Sequence, residues 1–203
     1  MPKYKLTYFN ARARGELARM LFVAADKPFE DKRVEFPDWP KLKEGTPQGS
    51  LPVLEVDGKI EICQSFAIAR YLARDFKLSG KDNHENAIID QIIDTLLDMF
   101  DPFVNIAFNP NEEEKAKKME EFYKSTAPTK LGQLENLVKK TGKGGYAVGS
   151  VLSLGDLALY VYIENCGLAD KLEKFKLLAA NRKKVEEIPR VAKYLKSRPV
   201  TSF

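Results

Sequence analysis

The sequence predicts a small α/β unit followed by an all-helical one, and three observations carry that reading. Residues 3–34 run as an alternating segment, an amphipathic stretch and a second short extended segment, the order β-α-β. Residues 49–72, GSLPVLEVDGKIEICQSFAIARYL, read as two strands joined by Asp57-Gly58 and followed by a helix. After the polar stretch DFKLSGKDN no clear strand recurs, and only helical spacing remains. Two domains, 1–78 and 83–203, are expected to meet near residues 76–82.

Each element has its own signal. Lys3–Tyr8 alternates as a half-buried strand does. From Gly15 to Ala25, apolar residues at 17, 18, 21, 22 and 25 mark a helix. Phe29–Val34 is a short strand, Trp39 to Lys43 one turn of helix, and TPQGS a loop. Val53–Val56 and Lys59–Ile62 form a hairpin whose Asp-Gly pair suits a type I′ turn. Ser65–Asp75 is a helix with Phe66, Ile68, Ala69 and Leu72 inward.

In the second half, Ile88, Ile89, Ile92, Ile93, Leu96, Leu97 and Phe100 define a long amphipathic helix that Pro102 should kink or end. Glu112 to Lys140 is a second long helix with a possible break near Pro128. Ser153–Asn165 is a third, strongly apolar one. Its opening Ser153-Leu154-Gly155-Asp156 has the S-x-x-D form of a capping box, in which Asp156 should accept from the Ser153 N–H. Val185 to Lys196 closes the chain, with Pro189 in the first turn.

Composition narrows the function. The chain of 203 residues is 44% hydrophobic and 31% charged, with a net charge of +4. No apolar run approaches the roughly 20 residues of a membrane span, and the N-terminus enters a strand without a signal-peptide core, so a cytoplasmic protein is expected. Lysines at 115–118, 139–143 and 183–184 mostly interleave with glutamates and lack alternating aromatics, which argues against nucleic acid. Cys63 and Cys166 lack metal or redox spacing. His84 is the sole histidine and lies in a polar linker, a poor basis for a catalytic triad.

The chemistry concentrates in the first half. Pro52 interrupts an apolar strand where its backbone can pair with a ligand. Ser65 opens a helix whose free N–H groups suit a carboxylate. Tyr8 stands at the C-terminal end of the first strand, where open α/β folds place ligands.

The β-α-β then β-β-α order with a proline heading the third strand is the thioredoxin-like arrangement, here without CxxC. With YKLTYFNARAR (4–14), PDWPKLK (37–43), LPVLEVDG (51–58), QSFAIARYLAR (64–74), SLGD (153–156) and the closing RPVTSF, the chain resembles the cytosolic glutathione transferases, and among them the sigma class. That class includes glutathione-dependent prostaglandin D synthases and the S-crystallins. The resemblance implies the glutathione transferase fold, a thioredoxin-like domain followed by an all-helical one, and a homodimer. It implies glutathione as co-substrate and small hydrophobic electrophiles as acceptors.

The resemblance also implies roles. Tyr8 would donate to the glutathione sulfur, and Arg14 would stabilise the thiolate, with Arg12 open to either a site or a surface role. Trp39 and Lys43 would hold the glycine carboxylate. Gly49, Ser50, Leu51 and a cis Pro52 would present backbone to the cysteinyl part, and Gln64 and Ser65 would take the γ-glutamyl end. Asp98 would reach the glutathione of the partner subunit. Phe9, Ala11, Ala13, Phe100, Phe103, Tyr160 and Tyr162 would line the acceptor site. Leu97 stands where one interface acid is expected, so no metal is predicted. Departures from the family pattern include Ala13 for a glycine and Gln48 for a phenylalanine. Transferase, prostaglandin-H D-isomerase, and S-crystallin-like structural or carrier protein are the three functions left to compare.

Overall fold

The computed structural model describes residues 2–201. Its chain forms two compact units: the part up to Ser79 together with the part from Glu186 onward, and Gly80–Val185.

In the first unit a mixed sheet of four strands has the order β2-β1-β3-β4, formed by β1 (Tyr4–Phe9), β2 (Glu30–Val34), β3 (Val53–Val56) and β4 (Ile60–Cys63). β1 runs parallel to β2, with Tyr8 opposite Arg33, and antiparallel to β3, with Thr7 opposite Val53. The alternation of β1 buries Tyr4, Leu6 and Tyr8 on one face. Helices α1 (Glu16–Ala24) and α3 (Ser65–Asp75) pack against each other. A short helix α2 (Trp39–Leu42) borders a pocket of about 270 Å³ whose lining includes Lys5 and Thr7 of β1. Asp57 and Gly58 both take positive φ, 55° and 65°, as the type I′ hairpin requires.

The second unit holds α4 (Asn83–Ala107), α5 (Glu112–Glu121), α6 (Ala127–Thr141), α7 (Leu154–Asn165) and most of α8 (Lys176–Glu186). α4 packs on α6 and α7 and carries Pro102 inside it without ending there. The predicted helix over 112–140 is broken by a π-helical turn at Phe122–Thr126, just before Pro128. α7 is almost wholly buried and opens on the expected capping box.

The closing segment differs from the prediction of one helix over 185–196. α8 ends at Glu186 and α9 (Pro189–Ser197) starts afresh. The residue before a proline is driven out of the helical region, and Ile188 is extended at φ −70°, ψ 117°. α9 packs on α1, burying Val191 completely, so residues from 186 on join the first unit and not the helical one.

Candidate active site

Tyr8 is set by its strand. Alternation turns its ring inward, where it is 5% exposed. The next turn, a 3-10 segment at Ala13–Gly15, aims the Arg14 backbone N–H at the phenol, donating to Oη at 3.2 Å. Because the oxygen is used as an acceptor, its own hydrogen is left to donate elsewhere. Burial pushes the phenol above its ordinary value, while the Arg14 N–H and the Arg14 and Arg19 charges oppose that rise. Tyr8 is therefore a neutral O–H donor at neutral pH.

Gly15 makes room for that ring: a Cβ there would collide with Cδ1 and Cγ of Tyr8. Phe9 extends an aromatic cluster, stacked on Phe36 at 4.6 Å and edge-on to Trp39 and Tyr8 at 5.5 Å each. Ala11 is buried and Ala13 half-buried, the latter at a positive φ of 30°.

The segment before β3 shares a pocket with residues of β1 and β3, and α3 packs against β3 and β4. Leu51-Pro52 is a cis peptide, and Gly49 has φ 58°, with Lys43 Cε placed 3.6 Å from where a Cβ would stand. Ser50 and Leu51 are half-buried and Lys43 is exposed. Trp39, Leu42, Thr46, Leu51 and Val53 share the 270 Å³ pocket. Gln64, one residue before α3, is held at φ 70°, ψ 113°, a strained conformation for a non-glycine residue. Its Nε2 donates to Gln48 Oε1 at 3.0 Å, so the glutamine that replaces the family phenylalanine meets a predicted site residue. Ser65 is buried at the N-terminus of α3.

The remaining predicted residues belong to the second unit. Phe100 is buried edge-on to Tyr162 at 4.8 Å, and Phe103 packs on Phe122 at 5.5 Å. Tyr160 is buried under the Arg182 guanidinium, 4.2 Å from its ring centroid. Asp98 is exposed and paired with Lys130 at 2.8 Å, in an open cleft that also takes in Asp94, Leu97 and Asp101. Among the described residues no group of three or more His, Cys, Asp or Glu side chains could hold a metal.

Sequence reasoning missed Gly15, Glu16, Arg19 and Asp31. Glu16 and Arg19 are 1% and 0% exposed, and Arg19 joins both acids by hydrogen bonds. The available signal was a charged pair at i, i+3 interrupting an otherwise apolar helix.

Comparison with known proteins gives the family. Residues 4–74 match the glutathione S-transferase N-terminal domain and residues 97–198 its C-terminal domain. The chain is 39% identical to a probable glutathione S-transferase 5 of Caenorhabditis elegans and 34% identical to S-crystallin SL11 of Nototodarus sloanii, with each pair aligned over all of both chains. A solved structure of prostaglandin synthase D of Nilaparvata lugens superposes with a TM-score of 0.89 at 36% identity, covering 98% of this chain and 100% of that one. The chain belongs to the glutathione S-transferase family, and its solved neighbours include sigma-class members. Its function is that of a transferase enzyme using glutathione. No helix among the described residues is long and apolar enough to cross a membrane.

Proposed function

We propose that Tyr8 activates the thiol of glutathione for attack on small, apolar electrophiles. The observation that carries this is the phenol itself: buried, kept protonated, and accepting from the Arg14 N–H, which leaves its own hydrogen available to donate. A free thiol near pKa 8.5 is mostly protonated at neutral pH. Lowering it by about two units needs roughly 2.7 kcal/mol. One hydrogen bond to a thiolate in a dry site, with an arginine beside it, is of that size.

Gly49 to Pro52, Gln64 and Ser65 bind the tripeptide, the backbone of Leu51 pairing with its cysteinyl part and the α3 N-terminus with the γ-glutamyl carboxylate. The helix end supplies about 0.3–1 kcal/mol toward that anion. Trp39 and Lys43 take the glycine end. Asp98 serves the partner subunit of a homodimer, Phe9, Ala11, Ala13, Phe100, Phe103, Tyr160 and Tyr162 shape the acceptor site, and the protein is cytoplasmic.

Replacing Tyr8 by Phe is expected to lower kcat by roughly 10²–10³, with glutathione binding kept. Steady-state kinetics with an aromatic electrophile measures it, and full activity in the variant would remove Tyr8 from the mechanism. A second reading, isomerisation of prostaglandin H to prostaglandin D, uses the same thiolate and is favoured by the likeness to a prostaglandin synthase D structure. Assaying the endoperoxide beside the electrophile separates the two. The crystallin-like reading predicts no turnover of either.

A further inference from the structure

We propose that Arg19 is a positioning residue for Tyr8, holding the turn between β1 and Arg14 by its two carbonyls. The inference rests on the glutathione-activating reading of Tyr8.

Arg19 lies on α1 and is completely buried. A guanidinium removed from water must have its donors and its charge met. Its Nε donates to Asp31 at 3.0 and 3.1 Å. Its Nη1 donates to the Ala11 carbonyl at 2.6 Å and to Glu16 at 3.3 Å. Its Nη2 donates to the Phe9 carbonyl at 3.3 Å. The carbonyls stand on either side of Asn10, in the turn that leads from Tyr8 to the Arg14 N–H.

Both carboxylates are shared with a second arginine. Asp31 of β2 also accepts from Arg33 at 2.9 Å. The other oxygen of Glu16 accepts from Arg198 at 2.8 Å and from the Tyr194 hydroxyl at 3.1 Å. The guanidinium carbon lies 5.8 Å from the centroid of the Tyr8 ring.

Packing alone does not call for an arginine here. Apolar side chains often replace buried ion pairs at no loss of stability. What an apolar side chain cannot do is grip two backbone carbonyls at once. Without that grip the turn keeps its ties through Asn10, to the Val34 carbonyl at 3.0 Å and to Glu35 and Arg33, but loses the hold on the carbonyls either side of it. A displacement of about 1 Å in a catalytic group costs about 10²-fold in rate.

The test titrates the thiol of bound glutathione by its thiolate ultraviolet absorbance in the full chain. Arg19→Gln is expected to raise that thiol's pKa by about one unit and to lower kcat about tenfold, with KM for glutathione within about twofold. Arg19→Lys, which keeps the charge but loses the fork, recovers only part of the loss. In a Tyr8→Phe background Arg19→Gln adds nothing further. An unchanged thiol titration in Arg19→Gln, or the same shift with and without Tyr8, overturns the proposal. If Arg19→Gln does not fold, Asp31→Asn carries the test from the accessible edge of the network, where the carboxylate side chain is 24% exposed. It is expected to shift the titration in the same direction, and no shift overturns the proposal. Absence of any bound thiolate in the unaltered protein would instead refute the reading of Tyr8.

Discussion

At the scale of single residues, the placement of Tyr8 depends on a neighbour with no side chain. Gly15 has an ordinary φ of −85°, so glycine is required there by the space the Tyr8 ring takes and not by backbone strain. Gly15→Ala is expected to push the ring aside, lowering kcat by about 10-fold or more and costing about 1–3 kcal/mol of stability. Steady-state kinetics and thermal unfolding measure the two effects, and wild-type kcat would show that the ring is placed by something else. Tyr8 was singled out through the resemblance to the glutathione transferases; by its place on the strand alone, an aromatic in step with Tyr4 and Leu6 reads as a packing residue. Gly15 was not, because a glycine before a helix looks the same whether it faces solvent or a ring. Arg19 and Glu16 were visible as charges inside an apolar stripe, but spacing along one helix cannot reveal partners on β2 or in the closing segment.

At the scale of elements, α7 shows a local motif extended by distant partners. The Asp156 carboxylate accepts from the Ser153 N–H at 2.7 Å, as the capping box predicts, and from the Ser153 hydroxyl at 2.9 Å besides. It also accepts from the Ala147 N–H at 2.7 Å and from Asn181 of α8 at 2.6 Å, so one buried acid joins the loop before α7 to the helix after it. Burial raises its pKa, against the pull of these four donors. Asp156→Ala leaves buried donors unmet at about 1–3 kcal/mol each, so a loss of about 3 kcal/mol or more is expected, with no change in active-site chemistry. Urea unfolding beside a kinetic assay checks it, and unchanged stability would remove the network from the fold's support.

Pro189 was legible as lying in the first turn of the closing helix, but the break before it was not, since one helix over 185–196 was expected. Pro189 starts α9 because Ile188 cannot be helical in front of it. Pro102 costs α4 about 3 kcal/mol, yet α4 continues to Ala107 because its apolar face is buried on α6 and α7. The break near Pro128 was legible, but its π form at Phe122–Thr126 was not; that turn coincides with Phe122 being buried against Phe103 and Tyr123.

At the scale of the molecule, several buried protonated groups favour the folded state only while they keep their protons. Burial pushes the Cys166 thiol up to about 12 from an ordinary 9, and it raises Tyr8 and Tyr194 as well. A group whose value is raised on folding holds its proton more tightly folded than unfolded. Below about pH 9 nothing is lost. Between pH 9 and about 12 the unfolded chain ionises first and stability falls, by about 2 kcal/mol at pH 10.5 from Cys166 alone. Urea unfolding at pH 8 and pH 10.5 measures the drop, and Cys166→Ala should make it shallower. Equal stability at the two values would contradict the assignment. The two-part organisation itself was legible from the change of periodicity near residue 76. The return of residues from 186 to the first unit was not, since the partners of Tyr194 and Arg198 lie 178 and 182 positions earlier.

That long return has a consequence for how the protein is made. Ribosomes deliver residues in order, at about 5–20 per second. The sheet, α1 and α3 are all delivered by Asp75, but the donors that meet Glu16 from the far end, the Tyr194 hydroxyl and the Arg198 guanidinium, come only after the whole helical unit has been synthesised. For some seconds the nascent first unit holds Glu16 with Arg19 alone and with the α9 side of α1 bare. Translation ending within α8 would leave that face uncovered for good, a target for chaperones and proteases and not a working half-enzyme.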